Sequence, residues 1–255
     1  MTFGSVELGA KLAEGKTKVI YAHPTKPDVI YMVHKDGITA GDGARRNELP
    51  GKGALACRTT SNVFYRLEDE GVATHYIGMV GDHINIVTRC TMIPLEVVMR
   101  RIATGSYLKR NTNVTEGTRF DPTVVEFFYK DDAQHDPLVT DEQIVAMGVA
   151  SQAEINAMRD TGRRVFEILE RAWAEQDVTL VDCKIEFGRA SADGRLLVAD
   201  VIDNDSWRIW PGGDKSKMLD KQIYRNMPQV TDEGLLALLN KYAQVAEMTD
   251  KFVEE

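Results

Sequence analysis

The sequence predicts an α+β fold in two lobes with a cleft between them, on three observations. Period-2 stretches fill the first third of the chain, interrupted by one helical segment. A Met92-Ile93-Pro94 break then sets them apart from the remainder of the chain. Beyond it, strand patterns and long amphipathic helices succeed one another without a regular βαβ order. Ligand sites favour clefts of this kind.

In chain order, residues 11–22 and 29–35 read as two strands joined by the His23-Pro24-Thr25-Lys26-Pro27-Asp28 turn. Residues 38–53, rich in glycine and charge, read as a long loop, and long ordered loops tend to be functional. Residues 52–70 carry Leu55, Val63, Phe64 and Leu67 near helical spacing, with Gly71 as the stop. Residues 72–79 and 83–90 are strands around Gly81-Asp82. The hinge at Met92–Pro94 divides residues 1–92, an N-terminal antiparallel-sheet lobe, from residues 93–255, a C-terminal mixed α/β lobe. Residues 95–103 are an apolar run that carries Arg100 and Arg101, and 105–117 a basic loop. Residues 124–129 form a short strand, followed by the polar loop KDDAQHDP. Residues 151–176 are a helix with a Ser151/Glu154 capping box and a stripe of Ile155, Met158, Val165, Phe166, Leu169 and Trp173. Residues 214–226 are basic and begin a further helix, and Thr231 caps an amphipathic helix to residue 252.

The chain has 255 residues, 43% hydrophobic and 27% charged, an ordinary balance for a globular protein. A net charge of −8 argues against general nucleic-acid binding but leaves room for a local basic pocket. No apolar run approaches the roughly 20 residues of a membrane span. The N-terminus lacks the basic and apolar regions of a secretory signal. Cys57, Cys90 and Cys183 are scattered, as expected of reduced thiols in a cytoplasmic protein.

Residues 178–210 carry the densest signal. Two alternating runs joined by a glycine-containing turn make a hairpin. Val181, Cys183, Ile185 and Phe187 point one way, and Asp182, Lys184 and Glu186 the other. A three-residue loop at Ala192-Asp193-Gly194 would pair Ser191 with Arg195 and set Glu186 opposite Asp200. Facing carboxylates repel unless a cation lies between them, and Mg²⁺ takes one or two carboxylates plus substrate phosphates. A charged face turned to solvent gives the same pattern, so both readings stand at this point.

Glu14-Gly15-Lys16-Thr17-Lys18 offers a phosphate cradle, with two lysines on one side of a strand, though a solvated strand face is the commoner meaning. Arg100, Arg101, Lys109 and Arg110 flank Thr104-Gly105-Ser106, a turn suited to a phosphate monoester or simply a charged loop. Arg208 can grip a carboxylate or phosphate bidentately. A helix would put Lys217, Lys221 and Arg225 on one face. His23, His34, His75 and His83 show no metal spacing, and no nucleophile elbow, Cys–His pair or dinucleotide fingerprint appears. Carboxylates, lysines and arginines are the equipment of phosphoryl transfer by positioning and charge stabilisation.

The segments KLAEGKTKVIY, ITAGDGARRNELPGKGA, MIPLEVVMRRIATGSYLKRN, FFYKDDAQHDP, LVDCKIEFG and VADVIDNDSWRIWP resemble the SAICAR synthetase family of purine biosynthesis, in order, from about residue 11 to 230. They look most like the synthetase part of the bifunctional animal-type enzyme; typical bacterial members have Arg where Ile102 stands and Phe where Gly41 stands. The chain stops at Glu255, where the animal enzyme continues into a carboxylase domain, so a monofunctional enzyme is expected.

The resemblance implies an ATP-grasp-related fold with the ATP cleft between the lobes. It implies joining of carboxyaminoimidazole ribonucleotide (CAIR) to L-aspartate with conversion of ATP to ADP and phosphate. Gly15, Lys16, Lys18 and Met92 would hold ATP, and Glu186 and Asp200 its Mg²⁺. Arg100, Ser106 and Arg208 would hold CAIR, Asp42 and Lys130 would face aspartate, and Lys221 and Arg225 would complete the substrate wall. Asp182 and Lys184 join Lys18 as catalytic candidates. The expected partners are ATP, CAIR and L-aspartate, with no nucleic acid and no membrane, and self-association is left open.

Overall fold

The computed structural model describes residues 2–3, 6–41 and 44–254. A short hairpin, β1 (Thr2–Phe3) and β2 (Val6–Glu7), precedes β3 (Lys11–Glu14), β4 (Lys18–Ala22) and β5 (Val29–His34). A second hairpin, β6 (Gly37–Ala40) and β7 (Arg45–Glu48), leads into α1 (Lys52–Asp69). Strands β8 (Tyr76–Val80) and β9 (Ile84–Thr88) then complete a five-stranded antiparallel sheet in the order β3-β4-β5-β9-β8.

The rest of the chain runs β10 (Cys90–Ile102), α2 (Ser106–Arg110), β11 (Arg119–Tyr129), β12 (Leu138–Val139), α3 (Asp141–Ala146) and α4 (Gln152–Ala174). It continues with β13 (Val178–Ala190), β14 (Leu196–Ala199), β15 (Trp207–Pro211), α5 (Gln222–Asn226) and α6 (Asp232–Asp250). Six strands form an antiparallel sheet in the order β12-β11-β10-β13-β14, with β15 also on β13. Strand β13 is the axis of this sheet. One edge pairs with β10, and the other is shared, β15 taking Val178–Cys183 and β14 taking Glu186–Arg189. The chain between β14 and β15 leaves the sheet beside Lys184, whose backbone N–H donates to the Ser206 carbonyl at 2.7 Å.

One face of the six-stranded sheet is apolar. Val97 and Met99 of β10, Phe127 of β11, Cys183, Ile185 and Phe187 of β13, and Trp207 and Ile209 of β15 share a core with α4. The expected α4 stripe, Ile155, Met158, Val165, Phe166, Leu169 and Trp173, is fully buried there, and the Ser151/Glu154 capping box forms. Helix α1 adds Val63, Phe64 and Leu67 to the same core. A smaller cluster packs Ile38 and Leu49 of the N-terminal hairpin region against Tyr224, Leu238 and Tyr242 of α5 and α6. Helix α6 also pairs with α1 through Arg58 and Asp250.

Several local expectations are corrected. Residues 11–22 are a hairpin, not one strand: the Gly15 N–H donates to the Lys18 carbonyl at 2.9 Å and Glu14 pairs with Val19. Lys16 therefore sits in a turn and does not share a strand face with Lys18. Residues 38–53 form β6, β7 and the start of α1 rather than a loop. Met92–Pro94 lies inside the continuous strand β10, where a bulge between Met92 and Glu96 breaks its pairing with β13. Lys217 lies in a 3₁₀ turn and Lys221 at the N-cap of α5, so no helix aligns Lys217, Lys221 and Arg225.

The register of the 178–210 hairpin also differs. Ala190, not Ser191, bonds to Arg195 (2.9 Å) across a four-residue loop with Gly194 at φ 73°. Glu186 is consequently opposite Ala199, and Asp200 lies one residue beyond the strand with a left-handed φ of 69°. A bulge between Leu180 and Asp182 shifts the alternation, so Leu180 and Cys183 both reach the core while Val181, though buried, lies outside it.

No helix among the described residues is long and apolar enough to cross a membrane. Gly188 sits where β13 leaves no room for a side chain: a Cβ there would stand 2.6 Å from the Cβ of Cys90. Gly188→Ala is expected to destabilise the protein by about 2 kcal/mol, read as a lower urea midpoint at unchanged slope.

Candidate active site

The opposite face of the six-stranded sheet is charged, and its register decides which groups meet. Arg100 of β10 lies directly across from Asp182 of β13, and Asp182 lies across from Arg208 of β15. The Asp182 carboxylate accepts from Arg100 Nη1 at 3.1 Å and from Arg208 Nη1. Arg100 is only 3% exposed, and its Nε donates to Glu126 of β11 at 2.6 Å. Gly105 allows the fit: at φ 60°, a Cβ there would come within 2.9 Å of the Arg208 guanidinium.

Further along the same pair of strands, Glu96 stands directly opposite Glu186. Facing carboxylates are destabilising without an intervening cation. Here lysines supply it. Lys184 Nζ lies 2.7 Å from Glu186 and 3.4 Å from Glu96, and Lys130 donates to the other Glu186 oxygen at 2.7 Å. Burial alone would lower the Lys184 ammonium, but Glu186, Glu96 and Asp200 outweigh it and hold it well above the ordinary lysine range. Lys184 is thus a fixed cation, suited to charge stabilisation and not to proton transfer.

The five-stranded sheet brings Lys18 to this wall. Lys18 pairs across β4–β5 with His34, and its ammonium contacts the Asp200 carboxylate. Burial pushes the Asp200 carboxyl up, yet Lys18 and Lys184 prevail and hold it well below the usual carboxylate range. Asp200 is placed by its own backbone: the His75 Nε2 bonds to its carbonyl at 3.0 Å. The His75 N–H donates to the Val198 carbonyl at 2.9 Å, and its carbonyl accepts from the Thr88 N–H at 2.7 Å. Lys16, at the hairpin tip, reaches Asp132 at 3.3 Å.

Asp203 and Asp205 form the floor. Lys221 Nζ and the Tyr242 hydroxyl each donate to Asp205 at 2.7 Å. Burial raises the Asp205 carboxyl, but Lys52 and Lys221 overcome it and the net shift is downward. Burial and the neighbouring Asp205 charge leave Asp203 raised. Lys52, 1% exposed at the start of α1, lies over the Tyr242 ring with its Nζ 5.5 Å from the centroid.

These groups line a continuous cleft. A part of about 830 Å³ is bounded by Gly15, Lys16, Lys18, Lys130, Lys184 and Asp200, together with Lys221 and Arg225. A second part of about 760 Å³ is bounded by Arg100, Ser106, Arg110 and Arg208. Glu96 and Arg225 line both. Asp182 reaches the wall between the arginines. Glu186 is 3% exposed with both oxygens held by lysines, and Met92 is an exposed residue of β10 that lines neither part. Asp42 lies outside the described residues. Sequence reading missed Glu96, Glu126, Lys52 and Asp205 as site residues. Only Asp205 carried a local signal, the Asp-Asn-Asp-Ser spacing; the others become visible once strands and helices are paired.

The family model for SAICAR synthetase matches residues 11–237. The chain belongs to the SAICAR synthetase family. A phosphoribosylaminoimidazole-succinocarboxamide synthase of Roseiflexus sp. (strain RS-1) is 62% identical over 250 residues, covering 98% of this chain and 100% of that protein. The bifunctional purine synthesis protein of Dictyostelium discoideum is 47% identical over 95% of this chain, which spans 27% of that longer protein. Among solved SAICAR synthetases, that of Ehrlichia chaffeensis superposes with a TM-score of 0.85 at 30% identity, covering 94% and 98% of the two chains. Another, solved in complex with ADP, gives 0.82 at 34% identity, covering 93% and 96%.

The histidines behind the SAICAR synthetase cleft set an acid limit on stability. Burial brings the imidazoles of His34 and His75 down to about 4 from 6.5. Between those values the unfolded chain holds more protons, so stability falls as pH drops through that window. The loss is on the order of 3 kcal/mol per ring at most. Asp220 opposes it: burial pushes its carboxyl up to about 6, so the folded state takes up that proton first and gains stability below that pH. Asp203, raised by burial, acts with Asp220, the lowered Asp200 and Asp205 act with the rings, and the two rings set the direction. The urea midpoint is expected to fall between pH 7 and pH 4.5, and to fall more steeply in Asp220→Asn.

Proposed function

We propose that this chain is an ATP-dependent ligase that joins CAIR to L-aspartate, giving SAICAR, ADP and phosphate in purine biosynthesis. One observation carries the reading: lysines suited to a triphosphate and arginines suited to a ribonucleotide line two parts of one cleft, which meet at Glu96 and Arg225. The family and the ADP complex of a relative support it.

A carboxylate is a poor acyl donor. Transfer of the γ-phosphoryl group of ATP to the CAIR carboxylate gives an acyl phosphate and ADP. The aspartate amine then attacks the acyl carbon, the new C–N bond forms, phosphate leaves, and the amine gives up its proton. No protein nucleophile is required. Gly15, Lys16 and Lys18 take the ATP phosphates, Arg100, Ser106 and Arg208 take the ribonucleotide, and Asp182 fixes the two arginines. Lys184, always cationic, stabilises charge where the two parts of the cleft join. Lys130 and Asp42 are assigned to aspartate in this reading, and Lys221 and Arg225 to the remaining substrate wall. Occupation of both parts of the cleft by the substrates keeps water from the acyl phosphate.

The residues fit a Mg²⁺ ion that arrives with ATP. Among the described residues no group of three or more His, Cys, Asp or Glu gathers as a protein-only metal cage, and Mg²⁺ needs only one or two carboxylates beside the phosphates. Asp200, ionised at the cleft wall, would be the first ligand, and Glu186, held by Lys130 and Lys184, would be the second. The ion supplies positive charge at the β- and γ-phosphates when bound. The free cysteines Cys57, Cys90 and Cys183 suit a cytoplasmic enzyme.

A small-molecule kinase would share Lys16, Lys18 and Asp200, so stoichiometry decides. Phosphate release is expected only when CAIR, aspartate and ATP are all present; ATP turnover on CAIR alone with a stable phosphorylated product overturns the ligase reading. Lys18→Ala and Asp200→Asn are each expected to lower kcat about 100-fold or more, with circular dichroism unchanged.

A further inference from the structure

Arg110, Glu126, Arg100, Asp182 and Arg208 form one unbroken chain of ion pairs across α2, β11, β10, β13 and β15. Glu126 is the link with no role so far. Its two oxygens serve two arginines: Oε2 accepts from Arg100 Nε and Oε1 from Arg110 Nη2, each at 2.6 Å. Both arginines line the second part of the cleft, and Glu126 does not. Its side chain is 10% exposed, behind them.

The geometry makes Arg100 rigid. Glu126 holds Nε, Asp182 holds Nη1, and Nη2 has no protein acceptor among the described residues. Arg110 is tethered by one nitrogen to Glu126, while Nη1 bonds to the Ser106 carbonyl at 3.2 Å. Its guanidinium lies 5.2 Å above the Phe128 ring. Three guanidiniums against two carboxylates leave the row cationic, and Lys109 lines the same part of the cleft. A carboxylate that grips two arginines from behind fixes their unused N–H groups without neutralising the site. Without it, two flexible side chains would have to be ordered at the moment of binding.

We propose that Glu126 is a positioning residue for the ribonucleotide, setting Arg100 and Arg110 as a two-pronged clamp on its phosphate monoester. The assignment rests on the ligase reading. It adds Arg110 to the substrate contacts and places Glu126 in support, touching arginines and not substrate.

Calorimetric titration of CAIR into the ADP-saturated protein, with steady-state kinetics, tests it. Glu126→Gln is nearly isosteric and is expected to weaken CAIR binding about tenfold or more, the scale of a lost charged hydrogen bond. The KM for ATP is expected to move less than twofold. Glu126→Asp, which keeps the charge, is expected to recover most of the affinity. Wild-type CAIR affinity in Glu126→Gln overturns the proposal. So does a parallel loss for ATP and CAIR in both variants with a lowered Tm, which marks a purely structural role. If the wild-type protein itself neither binds CAIR nor turns it over with aspartate, the ligase reading fails and takes this assignment with it.

Discussion

The contact between Lys18 and Asp200 joins the two sheets at the point where they face each other. Each partner comes from a different sheet system, and each is largely withdrawn from water. A buried charge is tolerable only with its counter-charge in place, so the relative placement of the sheets and the ionisation of the site are one constraint. His75 enforces it from the backbone side. It bonds to the chain entering Asp200, to β14 and to β9 at once.

The charged face of the six-stranded sheet extends the same logic. Along each strand, alternate residues face the α4 core, and their neighbours form a two-dimensional lattice of opposite charges. Glu96 and Glu186 would repel, yet Lys184 and Lys130 make the pair stable. Arg100 and Arg208 would repel, yet Asp182 joins them. No group in the lattice is compensated alone, which fits a surface that receives anionic substrates without rebuilding itself.

Much of this was legible in the chain, for physical reasons that also explain the misreadings. Helix α4 announces itself because its caps and apolar stripe are local signals. The polar set Asp182, Lys184 and Glu186 follows from strand alternation and holds. The partner of Glu186 was misplaced because a loop of four residues instead of three shifts register by one, and one residue exchanges the faces of a strand. The turn at Gly15–Thr17 was overlooked because the residues on both sides suit a strand equally well. Glu96 and Glu126 are invisible in sequence: each is one acidic residue in an apolar run, and its meaning lies in strands paired across long stretches of chain. Lys52 looks like a solvated helix start until α6 covers it.

Helix α6 has a consequence in time. Tyr242 holds the Asp205 carboxylate and roofs Lys52, while Asp250 ties α6 to α1 through Arg58 and Asn62. A ribosome makes the lysines, arginines and carboxylates of the cleft well before it makes this helix. The nascent chain can make Asp205 and Lys52 and still lack the Tyr242 ring and hydroxyl that hold them, which arrive only when α6 docks.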